Sequence, residues 1–349
     1  MPRLRRADCS GPGFTRRRRG KGFEYIDEDG NRVTDPEALS RIRNLVIPPA
    51  WNDVWICPLP NGHIQAVGTD AAGRKQYMYH EDWRRRRDAQ KFEHMLEFAE
   101  ALPGMRRRCT KDLMREGYPK ERVLACAVRL LDRGFFRIGT EGYAEQNETY
   151  GLATIQKRHV TISGDVITFD YVAKSGKQRI QSLVDPEVLE VVKALKRRRA
   201  GGPELLAYRA GAGWCDVKSA DINHYVKEIT GGDFTAKDFR TWSATVLAAV
   251  ALAVSGEAAK SPTARKRAMS RAVQEVSHYL GNTPAVCRAS YIDPRVFDRY
   301  QTGWTISGAL ESLGEGRDFG EPSTQGAVEA AVLDLLANNK DSDALEKIA

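Results

Sequence analysis

The stretch Gly281-Asn282-Thr283-Pro284-Ala285-Val286-Cys287-Arg288-Ala289-Ser290-Tyr291 reads as a helix end, a turn, a short second helix and a tyrosine. Gly281 suits the left-handed residue that closes a helix, because it has no Cβ to clash. Thr283 and Pro284 suit an N-cap and the first helical position after it. Asn282, uncharged and carrying two N–H donors, is thereby held at a corner, and Tyr291 is set at the end of a rigid turn or two. Upstream, Lys237-Asp238-Phe239-Arg240-Thr241-Trp242 and Phe136-Arg137-Ile138-Gly139 each supply an arginine. Two guanidinium forks, one amide and one phenol are parts with which a protein can attack a phosphodiester without a metal.

The surroundings of these residues are locally specified. Thr235 and Asp238 fit a capping box, and Phe234 with Phe239 fit a hydrophobic staple, so Arg240 is expected on the opening turns of a helix whose positive end favours phosphate. Arg137 follows two phenylalanines that give it an apolar seat after a helix over 120–133. Each has a plainer reading when taken alone. Arg240 suits a surface helix, Arg137 suits an arginine snorkelling at the core's edge, and Tyr291 suits a core tyrosine.

Further out, the chain changes character once. Phe23 to Val33 alternates around an Asp-Gly turn and reads as a hairpin; Asp35-Pro36 opens a helix through Arg43. Val54–Cys57 and Ile64–Val67 bracket a Pro-Asn-Gly turn, and Gln76–His80 reads as a further strand. Helical periodicity then covers 82–101, 120–133, 185–198, 220–230, 236–254 and 264–280, with one β interruption over 159–184 that holds the Lys174-Ser175-Gly176-Lys177 turn. This predicts an α+β protein: a small β-rich N-terminal domain over 22–85 and a larger, mainly α domain over 86–310 with a β-hairpin insertion. Residues 1–21, with eight Lys/Arg around Gly-Pro-Gly, are expected to form a loose basic arm. Residues 311–349 are expected to be an acidic tail with one helix over 327–336.

Charge is uneven along the chain. The total is 54 Lys+Arg against 46 Asp+Glu, but residues 311–349 hold nine acids and three bases, which leaves 51 against 37 before them. An excess of that size, with a pI near 9.1, favours a polyanionic partner. The longest apolar run, 244–254, is too short to span a bilayer, and the arginine-rich N-terminus lacks the apolar core of a signal peptide. The six cysteines form no CxxC pairs, so reduced thiols of a cytoplasmic protein are expected, with neither zinc nor disulfides. On the segment 73–80, Arg74 and Lys75 suit phosphates, while Gln76, Tyr77 and Tyr79 suit base edges or sugars. Arg84–Arg87 and Arg106–Arg108 suit sequence-independent charge.

Four segments taken in order resemble a known family: FRIGTEGYAEQNETYGLATIQKRHV (136–160), the Lys174–Lys177 hairpin, KDFRTW (237–242) and LGNTPAVCRASYIDP (280–294). Together they look like the poxvirus-type bacterial type IB DNA topoisomerases, within the tyrosine recombinase/topoisomerase IB superfamily, from about residue 20 to about residue 310. The resemblance implies a C-shaped clamp on duplex DNA that relaxes supercoils through a 3′-phosphotyrosine intermediate, without ATP or metal. It implies Tyr291 as nucleophile, Arg137 and Arg240 as clamps on the scissile phosphate, and Lys174 as general acid for the departing 5′ oxygen. Lys177 stands as the competing acid and otherwise as a DNA contact. Asn282 fills a position that is histidine in the poxvirus enzymes; as a neutral donor it is expected to contribute less than either arginine. No cofactor is implied, and a monomer associated with the nucleoid is expected. Two rivals share the motifs: a tyrosine site-specific recombinase, and a non-catalytic DNA-binding protein with the same fold.

Overall fold

The computed structural model describes residues 3–256, 261–311 and 322–348, and the chain divides into two compact units, 1–91 and 92–349. The fold is α+β, with the strands of one larger sheet gathered in the first unit and most helices in the second.

The first unit comprises β1 (Phe14–Arg19), β2 (Gly22–Ile26), α1 (Pro36–Asn44), β3 (Asn52–Ile56), β4 (Ile64–Thr69) and β5 (Lys75–Tyr79). Its antiparallel sheet runs in the order β2-β1-β3-β4-β5. Asp35 caps α1 by accepting from the Glu37 and Ala38 N–H groups, and Pro36 opens the helix. Ile42 of this helix packs with Val54, Ile56 and Ala66 in a small core. The Asp-Gly turn after β2 closes as expected, with the Asp27 N–H on the Asn31 carbonyl at 2.8 Å and Gly30 at φ +83°.

Part of the expected loose arm is instead this sheet's second strand. Residues 14–19 pair with β2 on one side, and Phe14 and Thr15 pair with Ile56 and Trp55 of β3 on the other. Alternation explains why an arginine run can do this. Phe14 packs on the small core, while Arg16 donates to the carbonyls of Ile47, Pro48 and Trp51 and lies 4.2 Å over the Phe23 ring. Even Arg5 is tied down, its N–H on the Asn61 carbonyl at 2.9 Å.

The long helix α2 (Glu81–Leu113) was expected to stop at Ala101 but continues through Pro103. Met95, Phe98, Leu102, Met105, Cys109 and Leu113 are all buried at helical spacing, and that continuous apolar stripe outweighs the cost of one proline. There follow α3 (Lys120–Gly134), α4 (Glu141–Asn147), the antiparallel strands β6 (Val160–Ser163), β7 (Val166–Ala173) and β8 (Lys177–Val184), then α5 (Pro186–Arg197). A small hairpin, β9 (Ala207–Ala210) with β10 (Gly213–Asp216), leads to α6 (Ser219–Thr230), α7 (Ala236–Val254), α8 (Pro262–Leu280), α9 (Pro284–Ser290) and α10 (Pro294–Gln301). The chain continues through β11 (Trp304–Thr305), α11 (Ser307–Leu310), α12 (Ala327–Ala337) and β12 (Glu346–Lys347). No helix among the described residues is long and apolar enough to cross a membrane.

The expected polar tail is also corrected within its described part. Val328, Ala331, Val332, Leu335 and Leu336 of α12 are buried in the main core, and β12 pairs with β11. The acids of this helix are Glu329, turned inward to Arg106 and Trp242, and Asp334, so counting charge concealed the packed face. Residues 312–320, which carry part of the acidity, lie outside the described residues.

Candidate active site

The corner after α8 is built by its own main chain. Gly281 adopts φ +63°, and the N–H groups of Gly281 and Asn282 return to the carbonyls of His278 and Ser277, each at 3.1 Å. This is a Schellman closure, and it requires the left-handed residue that glycine supplies. A Cβ there would in addition meet the Arg179 side chain at 3.1 Å. Thr283 then caps α9 through its hydroxyl on the Val286 N–H, with Pro284 next. The Tyr291 N–H ends that helix on the Cys287 carbonyl at 3.0 Å. Beyond it, the buried Thr245 hydroxyl of α7 accepts the Asp293 N–H at 3.1 Å.

Arg240 projects from the start of α7, whose capping box forms as expected: the Asp238 carboxylate accepts from the Thr235 N–H at 2.8 Å, and the Thr235 hydroxyl from the Lys237 N–H. Far from being a surface arginine, Arg240 is only 5% exposed. Its Nη1 donates to the Phe135 carbonyl at 2.7 Å, its Nη2 to the Leu280 carbonyl at 2.9 Å, and its Cζ lies 5.4 Å from the centre of the Tyr291 ring. Arg137 donates through Nη2 to the Gly281 carbonyl at 3.0 Å and to the Asn282 Oδ1. Arg179 of β8 donates to the carbonyls of His278 at 3.0 Å and Tyr279 at 2.6 Å.

The last carbonyls of α8, residues 278 to 281, are thus occupied by three guanidinium groups. A helix end leaves its last carbonyls short of main-chain donors and carries partial negative charge, so it is a natural assembly point for cations. The cations still oppose one another. Burial pulls Arg240 below its ordinary value, and Arg137 and Arg179 push the same way, against Tyr291. Burial likewise lowers Arg179, with Arg137 adding to it. An arginine keeps its charge through such shifts, so the outcome is a preassembled positive site that an anion would relieve.

That site opens into a pocket of about 460 Å³ lined by Arg137, Lys174, Lys177, Arg240, Asn282 and Tyr291 among others. All five expected catalytic side chains therefore meet, with both candidate acids. Lys174 begins a tight turn in which Ser175 and Gly176 both take φ +69°. The remaining expected DNA contacts lie in the other unit. On β5, Lys75, Tyr77 and Tyr79 are exposed, the two tyrosines are stacked at 6.2 Å, and the Lys75 ammonium lies 5.8 Å from the Tyr77 ring. Arg74 and Gln76 are instead engaged by Asp70, at 2.8 and 2.9 Å. The Arg74 N–H and guanidinium hold the Asp70 carboxylate down to about 2.

Three contributors escaped the sequence reading: Arg179, Thr245 and Tyr171. The Tyr171 phenol is buried, which pushes it up against the opposing pull of Arg179, Arg240 and Arg137, and it donates to the Gln181 Oε1 at 3.1 Å. β alternation on the hairpin hints at the inward position of Tyr171, and Thr245 lies among the buried residues of α7. Arg106, assigned to diffuse DNA charge, is instead held internally. It is bidentate to Asp132 at 2.9 Å and bonded to Glu329, which also accepts the Trp242 Nε1–H at 2.8 Å.

A family model described as the eukaryotic DNA topoisomerase I catalytic core matches residues 80–311, and one described as the bacterial DNA topoisomerase IB N-terminal domain matches residues 22–70. The DNA topoisomerase 1B of Acanthamoeba polyphaga mimivirus is 32% identical over 297 residues, covering 83% of this chain and 88% of the viral protein. The DNA topoisomerase I of monkeypox virus is 20% identical over 232 residues, covering 66% of this chain and 71% of that protein. A DNA topoisomerase 1 of Daucus carota is 26% identical over 160 residues, 45% of this chain and 19% of the plant protein.

Proposed function

The chain belongs to the type IB DNA topoisomerases, a family of isomerases, and from that membership we propose that it relaxes supercoiled duplex DNA through a covalent 3′-phosphotyrosine at Tyr291. The Tyr291 Oη–P bond forms as the P–O5′ bond breaks. The phenol gives up one proton and the 5′ oxygen gains one, from Lys174, so the proton balance is even. Torque turns the free end, and the 5′-OH then reverses the step. Because one phosphodiester is exchanged for another, no ATP is consumed.

The observation that carries this reading is the meeting of Tyr291, Arg137, Arg240, Asn282 and Lys174 around one pocket. The buried guanidinium groups supply fixed positive charge where a phosphorane would gather negative charge, the largest single contribution in most such sites. Arg240 lies against the Tyr291 ring, so the charge proposed to bind phosphate sits beside the proposed nucleophile. The five residues come from one chain, consistent with a monomer acting on its own. A β-rich first unit matching the bacterial N-terminal model favours this reading over a recombinase.

The test is to incubate supercoiled plasmid with wild type and Tyr291→Phe in EDTA, then trap adducts with denaturant. Wild type is expected to relax the plasmid and become covalently attached; the variant is expected to bind DNA and do neither. Relaxation by Tyr291→Phe, or a wild type that depends on added magnesium, would overturn the mechanism.

A further inference from the structure

We propose that Arg179 is a positioning residue that docks the Lys174 hairpin onto the end of α8, fixing the proton donor relative to the phosphate pocket. The inference rests on Lys174 as general acid. From Lys174 through Gln178 every residue is exposed, so the turn lies clear of the core, and Gln178 at its foot donates to the Asp170 carboxylate. Arg179 is the first residue beyond the tip that is not exposed. It pairs across the hairpin with Tyr171 and reaches α8 through the His278 and Tyr279 carbonyls at 3.0 and 2.6 Å. Two residues further on, Gln181 donates its amide to the Gly134 carbonyl at the end of α3. The strand bearing the acid's turn is therefore anchored to the ends of α3 and α8.

The geometry ties the two halves of the chemistry together. Arg179 occupies the α8 carbonyls at 278 and 279, Arg240 the one at 280, and Arg137 the one at 281. The arginines that line the phosphate pocket and the one that anchors the acid's hairpin thus share a single helix end. Arg179 does not line the pocket, so it acts through its neighbours and not on the substrate. A general acid works only within hydrogen-bond reach of the atom it protonates, about 2.6–3.2 Å, so a hairpin released by even an ångström leaves the 5′ oxygen unserved.

The variant to make is Arg179→Met, which keeps the apolar stem beneath Gly281 and removes the donors. Single-turnover cleavage is measured on an ordinary duplex and on one with sulfur at the 5′ bridging position, a leaving group that needs no proton. Arg179→Met is expected to slow the oxygen substrate by roughly thirtyfold or more, a part of the roughly 10²–10⁴ that a placed acid contributes. On the sulfur substrate it is expected to return close to wild type. Arg179→Lys, which keeps the charge but reaches one carbonyl, gives the same contrast at smaller size and stands in if the methionine variant fails to fold. Equal losses on both substrates, or no loss on either, would overturn the proposal. Lys174→Ala and Arg240→Ala run alongside as controls. If Lys174→Ala is not recovered by sulfur, the acid assignment itself fails and the inference falls with it. If it is recovered and the Arg179 variants are not, the inference alone is wrong.

Discussion

Arg137 and Asn282 are bonded side chain to side chain, the guanidinium donating to the amide oxygen as well as to the Gly281 carbonyl. Arginine can only donate, so this bond settles which way the amide faces. The Asn282 Nδ2 is buried, and among the described residues it finds no oxygen or nitrogen acceptor and faces the Cys287 thiol. The amide is therefore engaged first with the arginine, and the two behave as one unit.

Asn282→Ala is accordingly expected to cost more than one neutral hydrogen bond. Hydrogen bonds to charged groups are worth about 1.5–3 kcal/mol, roughly ten- to a hundredfold in cleavage rate. Combined with Arg137→Ala the losses are expected to fall short of additive, as for residues in direct contact. Asn282→His is expected to stay active, because a neutral imidazole offers one acceptor nitrogen to Arg137 and one N–H. Rates of covalent adduct formation for the single and double variants decide this; strictly additive losses would separate the pair.

Arg240→Lys keeps the charge and loses the bridge between the carbonyls of Phe135 and Leu280. One ammonium cannot span both and also hold two phosphate oxygens. The expected outcome is a loss of about a hundredfold or more in cleavage, in line with removing a transition-state donor, together with a lower melting temperature. A variant within a few-fold of wild type would mean that charge alone suffices.

On β5, Asp70→Asn is expected to tighten DNA binding. It frees Arg74 and Gln76 from the carboxylate, and one more phosphate contact steepens the salt dependence of binding by about 0.9 in log–log slope. The native carboxylate lies below its ordinary 3.8, at about 2, so its tie to Arg74 is complete above that range and is lost only as pH falls towards 2. Binding between pH 6 and 9 should not follow its titration. Filter binding across salt and pH would show both effects, and an unchanged slope would place Arg74 away from DNA.

Glu329→Ala removes the partner of a largely buried guanidinium and of the Trp242 N–H together. Burial works against the Arg106 charge, yet Asp132 and Glu329 hold it above its ordinary value. Asp132 stays bidentate to Arg106, so the charge remains paired and losing the bonds to Glu329 is expected to cost about 1.5–3 kcal/mol. Glu329→Gln, which can still accept from Trp242, is expected to cost less. Urea unfolding of the two variants tests the order.

What could be foreseen was local. The box at Thr235 and Asp238, the cap at Thr283 and the left-handed Gly281 are set by residues within a few positions, and each formed as expected. Arg179 was invisible because its partners are main-chain carbonyls 99 and 100 residues away, and a carbonyl carries no residue identity to search for. The arginine strand 14–19 was missed because composition outweighed alternation, and the α2 extension because a proline was read as a stop. In both places tertiary burial decided against the local signal.

The bond from Glu329 to Trp242 spans 87 residues and ends two positions from Arg240. During synthesis, a chain emerging from the ribosome would carry all five pocket residues once Tyr291 was out, yet Trp242 and Arg106 would still lack Glu329. A nascent chain of that length carries the five pocket residues on a scaffold that still lacks α12. The second unit is completed around Trp242 and Arg106 only when α12 arrives, so the proposed strand cleavage is expected to wait for a chain folded through that last helix.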